Sequence, residues 1–135
     1  MATIESEYLG GLRTRATHIK SGNVLITDAP VDNQGKGEAF SPSDLVATAL
    51  ASCMLTIMGI VARERQWDID GTHVETTKIM APDPRRVSRL EIEFTFPKDK
   101  TYSTEQRSIL ENAARTCPVF YSLHPDMEKV LQFNW

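Results

Sequence analysis

What is scarce in this sequence sets the first limits. Basic residues do not outnumber acidic ones: 15 Lys and Arg stand against 18 Asp and Glu, a net charge of −3 at pH 7. The cationic footprint of a nucleic-acid binder is missing, and no nucleic-acid partner is expected. Histidine is limited to His18, His73 and His124, which are scattered, and the only cysteines, Cys53 and Cys117, form neither a CxxC nor a CxH arrangement. No metal site is therefore expected. A Gly-rich phosphate loop and a GxSxG nucleophile elbow are absent, and no cofactor is expected. An apolar leader is lacking too, because Glu5, Ser6, Glu7 and Gly10-Gly11 stand where one would lie. Export is not expected, and the chain reads as cytoplasmic. In a reducing compartment a permanent structural disulfide is rare, which leaves the two cysteines to packing, metal ligation or redox chemistry.

What is present fits an ordinary soluble domain. With 135 residues, 41% hydrophobic and 24% charged, the chain reads as a single domain over residues 1–135, long enough to bury a core. The stretch SPSDLVATALASCMLTIMGIVA, residues 41–62, is its organising element. Ser41 suits an N-cap, Pro42 the first helical position, and Asp44 stands three residues past the cap. From Leu45 to Ala62 no residue is charged. Leu45, Ala49, Cys53, Ile57 and Ile60 make one stripe at helical spacing; Asp44, Thr48, Ser52 and Thr56 make a more polar one. The run is long enough to raise a transmembrane reading, but Thr48, Ser52, Thr56 and Gly59 thin its hydrophobicity. A buried central helix, with no membrane partner, is the expectation, and a helix so apolar on all sides needs a cover.

Around this helix the signals are short. Thr3–Glu7 and Leu12–Ile19 read as strands across a Gly10-Gly11 turn, with Arg13, Arg15 and Thr17 on one face of the second. Ser21-Gly22-Asn23 marks a hairpin leading to a third strand, Val24–Thr27. Residues 28–40 read as an aperiodic loop placed to carry function. A strand within Trp67–Met80 and a second over Val87–Phe96 flank a Pro-rich turn; Leu90, Ile92, Phe94 and Phe96 alternate cleanly with Glu91, Glu93 and Thr95. Ser103-Thr104-Glu105-Gln106 is a capping box for another helix, Pro118 can open a short one, and Val130–Trp135 alternates as a last strand. The order is βββ-α-ββ-α-(α)-β, an α+β fold without repeats.

Cys53, taken alone, reads as a core residue of its helix. Cys117, at a helix junction before Pro118, is either a packed thiol or one whose thiolate a helix N-terminus favours. Two thiols so far apart in sequence fit a pair that meets only in the fold. A thiol peroxidase also needs a cation, for which arginine suits best; Arg13 and Arg15 are the candidates, against the plainer reading of a solvated strand edge. Phe120, Tyr121 and Trp135 read as packing.

SPSDLVATALASC, ending at Cys53, and ARTCPVFYSL, containing Cys117-Pro118, together with this element order, resemble the OsmC/Ohr family of hydroperoxide-detoxifying proteins over nearly the whole chain. The resemblance implies an intertwined homodimer whose two long central helices are wrapped by sheets from both chains. It implies that Cys53 attacks an organic hydroperoxide and becomes a sulfenic acid. Cys117 then forms a disulfide with Cys53, and a lipoyl-type dithiol reduces the pair. An arginine of the second strand region belongs to such a site; Arg13 matches best and Arg15 is close by. The peroxidases of the family usually place a Glu directly after the Pro that opens the helix; this chain has Ser43, with Glu38 and Asp44 as nearby carboxylates. The expected function is thus a thiol-dependent peroxidase. The alternatives are a small hydrophobic ligand-binding protein of the same fold, which Ser43 favours, and a stress-related structural or interaction protein.

Overall fold

The alternations and caps above become ten elements in a computed structural model that describes residues Met1–Trp135. They are β1 (Ile4–Gly10), β2 (Arg13–His18), β3 (Val24–Asp28), a 3-10 turn (Val31–Asn33), α1 (Pro42–Glu64), β4 (His73–Ala81), β5 (Arg86–Thr95), α2 (Thr104–Ala114), α3 (Pro118–Ser122) and β6 (Glu128–Asn134). The α+β class and the expected order are those of the structure; the added 3-10 turn lies in the segment read as loop. The strand within Trp67–Met80 begins only at His73, because Trp67–Thr72 turns through Ile69 and Gly71 first.

Two compact units divide the chain, Met1–Val46 and Ala47–Trp135. In the first, β1, β2 and β3 form an antiparallel meander. Its register sets Arg13 opposite Asp28 and Thr14 opposite Thr27. Apolar side chains of this sheet, among them Ile4, Tyr8, Val24 and Leu25, are exposed. The segment after β3 folds back on itself: Gly35 N–H and Asn33 N–H both donate to the Pro30 carbonyl. A Cβ on Gly35 would fall 1.8 Å from the Ala29 carbonyl oxygen, so only glycine fits this closure. The turn returns the chain so that Asp28 N–H donates to the Phe40 carbonyl at 2.9 Å, immediately before α1.

The second unit holds a three-stranded sheet, β4-β5-β6, in which β5 pairs antiparallel with β4 and parallel with β6. Leu90, Ile92, Phe94 and Phe96 point inward as their alternation predicts, and are at most 1% exposed. They pack with Leu110, Ala113 and Ala114 of α2 and with α1 from Ala47 onward. Phe94 stacks on Phe133 of β6 at 4.8 Å, and Phe96 on Trp135 at 3.7 Å between ring centroids. Trp135 and Phe120 are packing residues, as expected, whereas Tyr121 is exposed.

The central helix is held in the core along one face. By length and composition α1 could cross a bilayer, with a mean hydropathy of 2.2 over its best window. It nonetheless buries a single face, Ala47, Leu50, Ala51, Met54, Met58 and Ala62, in the core of the second unit. The stripe through Leu45, Ala49, Cys53, Ile57 and Ile60 runs beside that face: Cys53 and Ile57 are half-buried, Ala49 and Ile60 exposed. In a helix of nearly uniform hydrophobicity, spacing cannot choose the inner face; the large side chains Leu50, Met54 and Met58 do.

Candidate active site

The first turn of α1 is closed by its own side chains. Asp44 N–H donates to Ser41 Oγ at 3.1 Å, and Ser41 N–H donates back to Asp44 Oδ2 at 2.9 Å. This reciprocal cap satisfies two backbone donors and fixes where the helix begins. Asp44, one of the two candidate carboxylates, is thus placed at the helix cap. Ser43, beside it, has its hydroxyl 3.2 Å from that of Ser41.

Three turns further along α1, Cys53 is half-buried against the core of the second unit. Cys117 caps α3 and is completely buried; its Sγ accepts from Phe120 N–H at 3.3 Å. Cys53 is close enough to Cys117 to influence its ionisation, both pack with the same core, and both are free. The two cysteines that the sequence keeps far apart therefore meet in one unit. Of the two readings of Cys117, its complete burial favours the packed thiol. Burial pushes the Cys117 thiol up, the Phe120 N–H opposes it, and the neighbouring Cys53 raises it further. Desolvation outweighs one turn of helix, because α3 has only five residues. Burial thus disfavours the thiolate of Cys117.

The arginines part company in the first unit. Arg15 pairs at 2.7 Å with Glu7, across from it on β1, and both side chains are exposed. Arg13 instead reaches two carboxylates, Asp28 Oδ2 and Glu38 Oε2, both 3.1 Å from Nη2. Asp28 also accepts from Glu38 N–H at 3.0 Å. The Arg13 guanidinium, and after it the Glu38 N–H, hold the Asp28 carboxyl below its ordinary range, and both carboxylates keep Arg13 charged. Glu38 is thus a partner of Arg13, as proposed for it; Asp28 was not foreseen. Its signal lay in the strand register opposite Arg13, which a lone Asp before Ala-Pro does not announce.

The OsmC-like protein family matches residues 35–129. No curated protein matches the sequence. Among solved structures, a protein of Psychrobacter arcticus 273-4, provisionally described as an osmotic stress induced and detoxification response protein, is 54% identical. It superimposes with a TM-score of 0.95 over 99% of this chain and 96% of that one. An OsmC-like protein of unknown function from Vibrio cholerae O1 has the same fold at 12% identity, with a TM-score of 0.80 over 98% of this chain and 99% of that one. So does the organic hydroperoxide resistance protein OsmC of Legionella pneumophila, at 16% identity, with a TM-score of 0.73 over 100% of this chain and 98% of that one. With the family match running from the loop before α1 into β6, and a relative more than half identical over almost its whole length, this chain belongs to the OsmC-like family.

Proposed function

We propose that the protein is a thiol-dependent peroxidase that reduces organic hydroperoxides through Cys53 and Cys117. The Cys53 thiolate attacks the terminal peroxide oxygen, the O–O bond breaks, and the alcohol leaves after taking up a proton. Cys53 is left as a sulfenic acid. The Cys117 thiol condenses with it, water departs, and a Cys53–Cys117 disulfide remains for a lipoyl-type dithiol to reduce. The observation that carries this reading is the thiol pair itself: Cys53 half-buried on a long helix, close enough to the buried Cys117 to influence its ionisation. Family membership supports it, as does the hydroperoxide resistance named for the Legionella relative of the same fold. Of the two arginines, Arg13 is assigned the role that the resemblance implies, steadying the thiolate and polarising the peroxide, because carboxylates orient it while Arg15 sits in an exposed pair. The working form is proposed to be a homodimer, which the exposed apolar residues of the β1–β3 sheet and Ile60 of α1 support.

One specific feature favours a second reading, a binding protein for small hydrophobic ligands without turnover: Ser43 in place of the usual Glu. Reduced protein mixed with cumene hydroperoxide, and separately with hydrogen peroxide, separates the two. Turnover predicts loss of both free thiols and the intact mass of a disulfide, more readily with the organic peroxide. If both thiols stay reduced while a control thiol oxidises, the peroxidase reading fails and ligand binding takes its place.

A further inference from the structure

Asp28 is the only charged side chain that is completely buried. One of its oxygens, Oδ2, receives both Arg13 Nη2 and the Glu38 N–H. The other, Oδ1, is buried with no partner. Tying down the Glu38 N–H would need only one neutral acceptor, and a buried carboxylate with an idle oxygen costs more than a neutral acceptor would. The charge makes sense through what it does to the guanidinium. Asp28 and Glu38 both take Nη2, so Nη1 and Nε of Arg13 are left without a partner. Of the two carboxylates, Glu38 is 61% exposed and free to come away, whereas Asp28 is fixed by β3 and by its backbone bond to Phe40.

We propose that Asp28 is the positioning residue of Arg13, holding the guanidinium by its Nη2 edge so that Nη1 and Nε face an anionic oxygen or sulfur, and doing in this chain the work for which Ser43 offers no carboxylate. The catalytic consequence rests on the peroxidase reading; the anchoring does not. An unanchored guanidinium turns about its Nε–Cζ bond and aims its donors poorly, and misplacement on the scale of an ångström is enough to slow a reaction markedly.

Two measurements decide it. In nitrogen-15 spectra, with Arg13 assigned through Arg13→Lys, the two Nη signals are expected to be separate in the wild type and in Glu38→Gln, and to merge in Asp28→Asn. Signals that stay separate in Asp28→Asn, or that merge in Glu38→Gln, overturn the anchoring. Should Asp28→Asn not fold, acid titration of the wild type gives the same answer: the signals stay separate through the ordinary carboxylate range and merge only below it, and earlier merging overturns the proposal. In the second measurement, the rate of Cys53 oxidation by cumene hydroperoxide falls about tenfold in Asp28→Asn. Reduction of the preformed disulfide by dithiol is unchanged, and Asp28→Asn adds nothing in an Arg13→Lys background. An unchanged oxidation rate, or a further loss in that background, sinks the positioning role while leaving the peroxidase standing. A wild type that consumes no hydroperoxide removes the peroxidase reading instead, and the nitrogen-15 spectra still decide the anchoring.

Discussion

At the scale of single residues, the two thiols differ in access and in their hold on a proton. Cys53 is half-buried, while Cys117 is covered on all sides and its thiol pushed up by that burial. Brief treatment of the reduced protein with iodoacetamide is therefore expected to alkylate Cys53 first, as read by peptide mass spectrometry. The sign for Cys117 follows from its direction of shift: its thiolate forms at higher pH than that of an ordinary thiol, so its labelling rises only beyond the usual thiol range. Equal labelling of both near pH 8 would contradict the assignment of roles. The candidate residues were legible to different degrees. Cys53 and Cys117 could be named from sequence because their flanking motifs are distinctive, but their contact depends on a helix and a loop junction meeting in three dimensions. Arg13 and Arg15 share a face and look equivalent in the sequence; only strand register separates them, giving Arg13 a buried carboxylate and Arg15 an exposed one. Asp44 was legible as a cap, because Ser-x-x-Asp before an apolar run is a capping pattern, and that cap is formed.

At the scale of elements, local rules held where one neighbour decides the outcome. The β5 alternation set its own inner face, and the capping box of α2 formed as written. Ser103 Oγ accepts from Gln106 N–H at 3.1 Å, and Gln106 Oε1 accepts from Ser103 N–H at 2.8 Å. Ser103→Ala breaks the box without disturbing the core, so it is expected to cost about 1 kcal/mol in urea unfolding, with the slope of the transition unchanged. A cost near zero would mean that α2 is held by the packing of Leu110 and Ala114 alone. For α1 no such local rule sufficed. Its apolar residues run nearly all the way round, and the face carrying Leu50, Met54 and Met58 won because those side chains fill the space before β5 and α2. The opposite side keeps Ala49, Ser52, Thr56 and Ile60 at the surface.

At the scale of the whole molecule, that exposed side and the exposed apolar residues of the first sheet are what the proposed second copy would cover. The proposed homodimer predicts a light-scattering mass twice the 15.1 kDa of one chain at micromolar concentration. Ile60, 46% exposed, is the position at which to challenge it. Ile60→Asp leaves the buried face of α1 intact, so it is expected to shift the mass toward one chain while the helical circular dichroism persists. A wild type that scatters as a single chain removes the dimer. The topology of the second unit also bears on the order of events during synthesis. Because β6 lies parallel to β5, the chain must leave the sheet, run through α2 and α3, and come back before that pairing closes. Contacts of such sequence separation form late. Cys53 thus leaves the ribosome well before Cys117. Under the proposed mechanism, a growing chain passes through an interval in which its first thiol has no second thiol to rescue it. On that mechanism, oxidant met in that interval carries Cys53 past the reversible sulfenic acid, and newly made molecules are expected to be more vulnerable than finished ones to the very compounds the finished protein is proposed to remove.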